Sequence, residues 1–421
     1  MSVPAAGRTT AAPRAPQVSG HQDALDGVRA VAALSVLVFH VALNAGVITR
    51  QVTGGWIFNG GQVGVAVFFA LSGLLLYRPW AHAALGGRAA PATRAYLVKR
   101  ALRVLPAYWV LVAVLLLVVY RERADEPLTW AGLLTLTHIY SPQEWWNSVL
   151  GPREMGQAWS LTVEVTWYAL LPPTAWLLGR YARRGAGAAA RARRLLRALG
   201  VYALVSFLFT ALMFWPDHHS GMSIWPPRYT AWFAVGMALA VLTVWAREEP
   251  DGPAARLCRT VAGSWGACWV AAASLLVICA TPVTGPLDLT TFPTLWTSEL
   301  HILLYGLCAA FFIAPVALAP ADHPVMRVVL GNRVMRWLGK VSYGVFLWQM
   351  AVILAWYEGT GRLFNGSILT DLPLLSAASV LVGAISYYAV ERPLQRLRAP
   401  GRRAPEPRGE PQPVPLQPDA T

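Results

Sequence analysis

Residues 25–40, LDGVRAVAALSVLVFH, decide how this chain is read, because they open its first long apolar run and carry an arginine and a histidine into it. On an α-helix the eleven residues from Arg29 to His40 return to within roughly 20° of one face and rise about 16 Å. Asp26 stands where a carboxylate can N-cap the run. The spacing predicts Arg29 at the entry surface and His40 about halfway through a bilayer. Ionisable groups at such depth are costly unless they meet a partner or a cavity. Two readings fit His40: a hydrogen bond holding helices together, or a task in a polar site.

Composition supports a membrane reading. Of the 421 residues, 56% are hydrophobic and only 13% are charged, against about 25% charged in soluble domains. The net charge of +14 would suit nucleic acid, but the basic residues fall in alternate loops between apolar runs, as membrane topology requires, and no nucleic-acid partner is expected. Cys258, Cys268, Cys279 and Cys308 show no metal-ligand spacing, so neither a metal nor a disulfide is expected. Residues 1–24 and 399–421, rich in Pro and Arg or Ala, read as disordered cytoplasmic tails around a membrane domain at 25–398.

The fold class expected is all-α: a single bundle of ten transmembrane helices enclosing a polar cavity. The spans fall near 27–47, 62–79, 104–120, 158–179, 198–215, 228–246, 262–281, 299–319, 341–357 and 372–391, each about 17–22 residues. The stretch 78–103 carries six basic residues and no acid, and 180–197 carries seven arginines and no acid. The loop at 121–157 holds five acids against three arginines. The positive-inside rule then puts both termini in the cytoplasm, as an even number of spans also requires. Residues 93–105 read as a short basic amphipathic helix on the cytoplasmic surface, stopped by Pro106. Trp145 and Trp146 in the outer loop suit an interfacial belt or a stacking platform for a sugar.

Several stretches carry a resemblance. Leu25-Asp26-Gly27-x-Arg29 with His40 beyond it, Gly64-Val65-x-x-Phe68-Phe69-x-Leu71-Ser72-Gly73, and Lys99-Arg100-x-x-Arg103-Val104-Leu105-Pro106-x-Tyr108 come first. Trp159-Ser160-Leu161-x-x-Glu164-x-x-Trp167-Tyr168, Arg228-Tyr229, Gly339-x-Val341-Ser342-Tyr343-Gly344 and Glu391-x-Pro393 follow in order. Together they resemble the acyltransferase 3 family of multi-pass membrane O-acyltransferases. In one departure, Gln349 follows Leu347-Trp348 where the family commonly has histidine, so no proton titrates there.

Arg100 and Arg103, three apart, can face one anion, and arginine's fork suits phosphate. Topology signalling explains them equally well. Ser160, Glu164 and Tyr168 share a helix face. Glu164 would either orient His40 or pair with Arg228. Ser72 reads as a helix-packing serine.

The resemblance implies transfer of an acyl group from acyl-CoA to a hydroxyl of a sugar, glycolipid or secondary-metabolite acceptor, in a bacterial plasma membrane. His40 would be the general base or carry a transient acyl group. Arg29, Arg100 and Arg103 would hold the donor's phosphates, and Arg228, with Trp145 and Trp146, the acceptor. The competing class is a transporter of an anionic lipid or sugar using the same charges. Transporters often show two related, broken-helix halves, and no such repeat is visible.

Overall fold

The computed structural model describes residues 16–18, 20–50, 52–140, 148, 150–288 and 290–396. Trp145 and Trp146 lie outside them, as do most of the two tails. The described chain is helical throughout, in the order α1 (Asp23–Asn44), α2 (Val63–Leu85), α3 (Thr93–Val114), α4 (Pro127–Leu134), α5 (Ala158–Ala182), α6 (Gly187–Leu212) and α7 (Thr230–Glu248). There follow α8 (Pro253–Gly263), α9 (Trp265–Cys279), α10 (Leu295–Leu318), α11 (Pro324–Val329), α12 (Arg333–Thr360) and α13 (Ile368–Ser386).

The multi-pass helical bundle expected from sequence is present, and the count of spans differs. Among the described residues, eight helices are long and apolar enough to cross a membrane. The pair α8 and α9, bent by 72° at Ser264, makes a ninth if counted as one span. The remaining expected span is α5, a 25-residue helix outside that apolar set. It carries Glu164, Arg180 and the pair Pro172-Pro173, which lower its hydropathy because it serves a polar interior.

Burial sorts the helices into core and periphery. In α7 83% of the spanning window is buried, against 22% in α6 and in α13, so α7 is central and the other two face outward. Helix α2 packs against α1, α5, α7 and α10, and α12 packs between α1 and α13. The α2–α7 contact is the tightest kind two helices make. Gly73 lies against the Phe233 carbonyl and Gly236 against the Ala70 carbonyl, so neither position has room for a Cβ. Small residues permit this approach, and close packing is what associates helices where lipid is as apolar as leucine. Phe69 and Phe233 stack beside it at 4.6 Å, and Trp167 stacks on Phe233 at 4.4 Å.

Three local expectations change. The basic segment at 93–105 and the third span are one helix, since α3 runs through Pro106 to Val114. Proline removes the donor for the Leu102 carbonyl, but Leu102 is exposed, so the freed acceptor costs little there. Asp26 is not the N-cap of α1, which starts three residues earlier with Gln22 in that position. The Asp26 carboxylate is taken by Arg29 at 3.0 Å and His21 at 2.9 Å, and the Gln22 amide donates to the Val316 carbonyl at 2.9 Å instead of capping. His40 is seventeen residues past the start of α1 and four before its end, about 26 Å along the axis. It therefore stands beyond the midpoint of the helix.

Candidate active site

Two cavities lie inside the bundle. The first is lined by Arg29 of α1, Ser72 of α2, Arg100 and Arg103 of α3, Glu164 and Tyr168 of α5, and Ser342 and Tyr343 of α12. The three arginines named from sequence thus converge from two helices on one space. The face shared by Ser160, Glu164 and Tyr168 is borne out, because all three line this cavity.

Glu164 does neither of the things expected of it. Its carboxylate accepts from the Ser72 hydroxyl and from the Tyr168 hydroxyl, the latter at 2.6 Å. His40 and Arg228 line the other cavity. The reason is topological: Glu164 sits two turns into α5, level with Ser72 on the helix that packs against it, and the nearer hydroxyls take the carboxylate. Ser72 is accordingly an interhelical hydrogen-bond donor as well as a cavity residue. Asp26 holds Arg29 at 3.0 Å, and Tyr343 donates to the Val104 carbonyl at 2.8 Å, pinning α12 to the arginine-bearing helix. Glu391, buried at the end of a π-helical turn (Tyr387–Glu391), offers two carboxylate oxygens that complete no hydrogen bond.

The second cavity holds His40. His40 Nδ1 is buried and completes no hydrogen bond. Gln349 of α12, fully buried, neighbours the imidazole, as does the Val36 carbonyl one turn back. Gln349 donates to the Phe346 carbonyl at 3.2 Å and leaves its own amide oxygen unpaired. The position where the family commonly has histidine is therefore a buried neighbour of His40.

Arg228 lines the same cavity, donating to the Ser223 carbonyl at 3.1 Å, with its Nε buried and unpartnered. Sequence reading missed Gln157 and His301, which also line it. His301 stacks on Tyr305 at 4.0 Å, while Trp232 meets Tyr229 at 4.9 Å and Tyr229 meets Trp159 at 5.1 Å with tilted rings, giving the cavity an aromatic wall. The cost argument that singled out His40 applies equally to His301, an imidazole inside an apolar run. Over the cavity, Leu150 is followed by Gly151, which packs on the His138 ring. Burial lowers the pKa of His138 to about 4, keeping that ring neutral.

Val65, Ser160 and Phe346 line both cavities, so the arginine-lined space and the histidine-lined space adjoin. Among the described residues no group of three His, Cys, Asp or Glu side chains is placed to hold a metal ion.

The fold is thus an integral membrane bundle with an arginine-lined cavity beside a second cavity that holds His40 and His301. Residues 22–390 match the acyltransferase 3 family, described as an acyltransferase domain, and the chain belongs to that family. It is similar to the Bacillus subtilis (strain 168) protein YrhL, 26% identical over 387 residues that cover 88% of this chain and 54% of that protein. The peptidoglycan O-acetyltransferase OatA of Listeria monocytogenes is 21% identical over 389 residues, covering 88% of this chain and 55% of its own. Nodulation protein 10 of Rhizobium leguminosarum is 28% identical over 184 residues, 40% of this chain and 48% of that protein. The chain spans about half the length of these curated relatives. No solved structure matches it.

Proposed function

We propose that this protein transfers a short acyl group from cytoplasmic acyl-CoA to a hydroxyl of a cell-envelope sugar or glycolipid, in the plasma membrane of a bacterium. The observation that carries this reading is the pair of adjoining cavities, three arginines in one and His40 in the next. Arg29, Arg100 and Arg103 hold the donor's phosphates, since guanidinium forks bind phosphate oxygens in pairs. The acceptor enters the second cavity, where Arg228 and the aromatic wall receive it. The peptidoglycan activity named for the Listeria relative supports a saccharide acceptor.

In the reaction the acceptor oxygen bonds to the thioester carbonyl carbon and the carbon–sulfur bond breaks. His40 takes the hydroxyl proton through its unpaired nitrogen as the base, and the leaving sulfur departs with a proton as the free thiol of CoA. Glu164, held by Ser72 and Tyr168, supplies a counter-charge to the arginine cluster and keeps the donor cavity open. Membranes carrying the chain should consume labelled acyl-CoA, and membranes carrying His40→Ala should not. Equal consumption by both would clear His40 of the base role, and no consumption beyond that of membranes lacking the chain would remove the enzyme reading and leave the transporter.

Donor binding gives a second test. Arg103→Ala should weaken acyl-CoA binding, and Arg103→Lys should restore only part of it, because lysine lacks the paired donors. A loss of about 1.4 kcal/mol appears as a tenfold rise in Kd, measurable by titration of the solubilised protein. An unchanged Kd in Arg103→Ala would return Arg100 and Arg103 to topology signals.

The donor must come from the cytoplasm, so both termini and the basic stretches at 78–103 and 180–197 belong on that side, with 121–157 outside. Single cysteines introduced at 180–197 should resist a membrane-impermeant thiol reagent in intact cells and react after lysis. Robust labelling in intact cells would reverse the orientation.

A further inference from the structure

We infer that Phe346, with Val65 and Ser160, forms the passage between the two cavities and sets which acyl groups reach His40. The inference rests on the acyl-CoA reading above and adds the determinant of acyl size. These three residues are the ones that line both spaces. A thioester anchored by the arginines on one side would meet an acceptor beside His40 by way of them.

Each of the three sits in a packed or hydrogen-bonded setting. The carbonyl of Phe346 accepts from the amides of Gln157 at 3.3 Å and Gln349 at 3.2 Å, clamping its backbone. Its ring rests edge-on against Phe68 at 6.0 Å and is nearly buried. Val65 is β-branched on a helix, where one rotamer is strongly preferred. The Ser160 hydroxyl is engaged at 3.0 Å by the Gln157 carbonyl of its own helix. Gln157 thus touches two sides of the passage at once, its carbonyl on Ser160 and its amide on Phe346. A rigid constriction discriminates by size, because close-packed side chains tolerate added methylenes poorly. The passage thereby limits the size of the acyl group that reaches His40.

The test uses the full chain in membranes, with His40→Ala membranes as the blank, and measures thiol release from acetyl-, butyryl- and octanoyl-CoA alongside equilibrium binding of each. The wild type should bind all three, since the arginines hold the shared nucleotide end, and should turn over acetyl-CoA while leaving octanoyl-CoA intact. Phe346→Ala should raise the octanoyl-to-acetyl ratio at least tenfold, and the milder Phe346→Leu should shift it in the same direction. Val65→Phe, which fills the passage from the opposite wall, should still bind acetyl-CoA yet release no thiol. If Phe346→Ala fails to accumulate in membranes, Phe346→Leu and Val65→Phe carry the decision. An unchanged chain-length ratio in the Phe346 variants, or full turnover in Val65→Phe, overturns the passage. If the wild type binds no acyl-CoA at all, the donor assignment itself fails, and that result is distinct from the others.

Discussion

Replacing His40 with alanine is expected to abolish acyl transfer while leaving the protein folded and inserted. Removal of a general base costs about 10²–10⁴ in rate. The proposed base role predicts this outcome, since His40 Nδ1 completes no hydrogen bond and the ring lines a cavity. Truncation there removes little packing, so melting temperature should stay close to wild type. His40→Gln sharpens the contrast, since glutamine keeps a hydrogen-bonding tip but takes no proton near neutral pH. It should be as inactive as His40→Ala. As the base must be unprotonated, wild-type rate falls on the acid side, and any residual activity of His40→Gln should lack that limb. Near-normal turnover in His40→Gln would make His40 a hydrogen-bonder and nothing more.

Gly236→Val is expected to cost the fold more than any substitution inside the cavities. A Cβ at Gly236 would overlap the Ala70 carbonyl oxygen and the Leu74 amide nitrogen, both backbone atoms of α2. No side chain can rotate to make room, so α2 and α7 must separate, and the stacked Phe69, Phe233 and Trp167 rings separate with them. Overpacking ordinarily costs about 1–3 kcal/mol, and a backbone obstacle between two core helices belongs at or above the top of that range. The control is Gly200, in the interior of α6, where an added Cβ meets nothing within 4 Å. Gly200→Ala should be neutral or stabilise by up to about 1 kcal/mol, the helix preference of alanine over glycine. Thermal unfolding of the solubilised variants should show a marked fall for Gly236→Val and none for Gly200→Ala. Equal melting temperatures would contradict the α2–α7 packing.

Within single helices the sequence was a reliable guide. The eleven-residue spacing of Arg29 and His40 set their separation along α1, and they do line different spaces. The i, i+4, i+8 pattern put Ser160, Glu164 and Tyr168 on one face, and the three-residue spacing put Arg100 and Arg103 together. Each of these follows from the fixed 100° turn of a helix, which needs no knowledge of neighbours. The misreadings have equally local causes. Pro106 looked like a stop because proline ends most soluble helices, whereas α3 carries it through. Asp26 looked like a cap because the claims of Arg29 and His21 on its carboxylate could not be weighed from spacing alone.

Partnership between helices was decided by the tertiary structure. Glu164 had two plausible charged partners in the sequence and took two hydroxyls, one of them 92 residues away on α2. Gln349 lies more than three hundred residues from the imidazole it neighbours. The two cavities adjoin where α2, α5 and α12 bring Val65, Ser160 and Phe346 together. Composition and periodicity therefore determined that the chain is a membrane bundle and which residues share a helix face. Which faces meet was set by long-range packing, above all by glycines that let α2 and α7 touch. That close approach depends on complementary shape along two distant segments, and the period of neither segment encodes it.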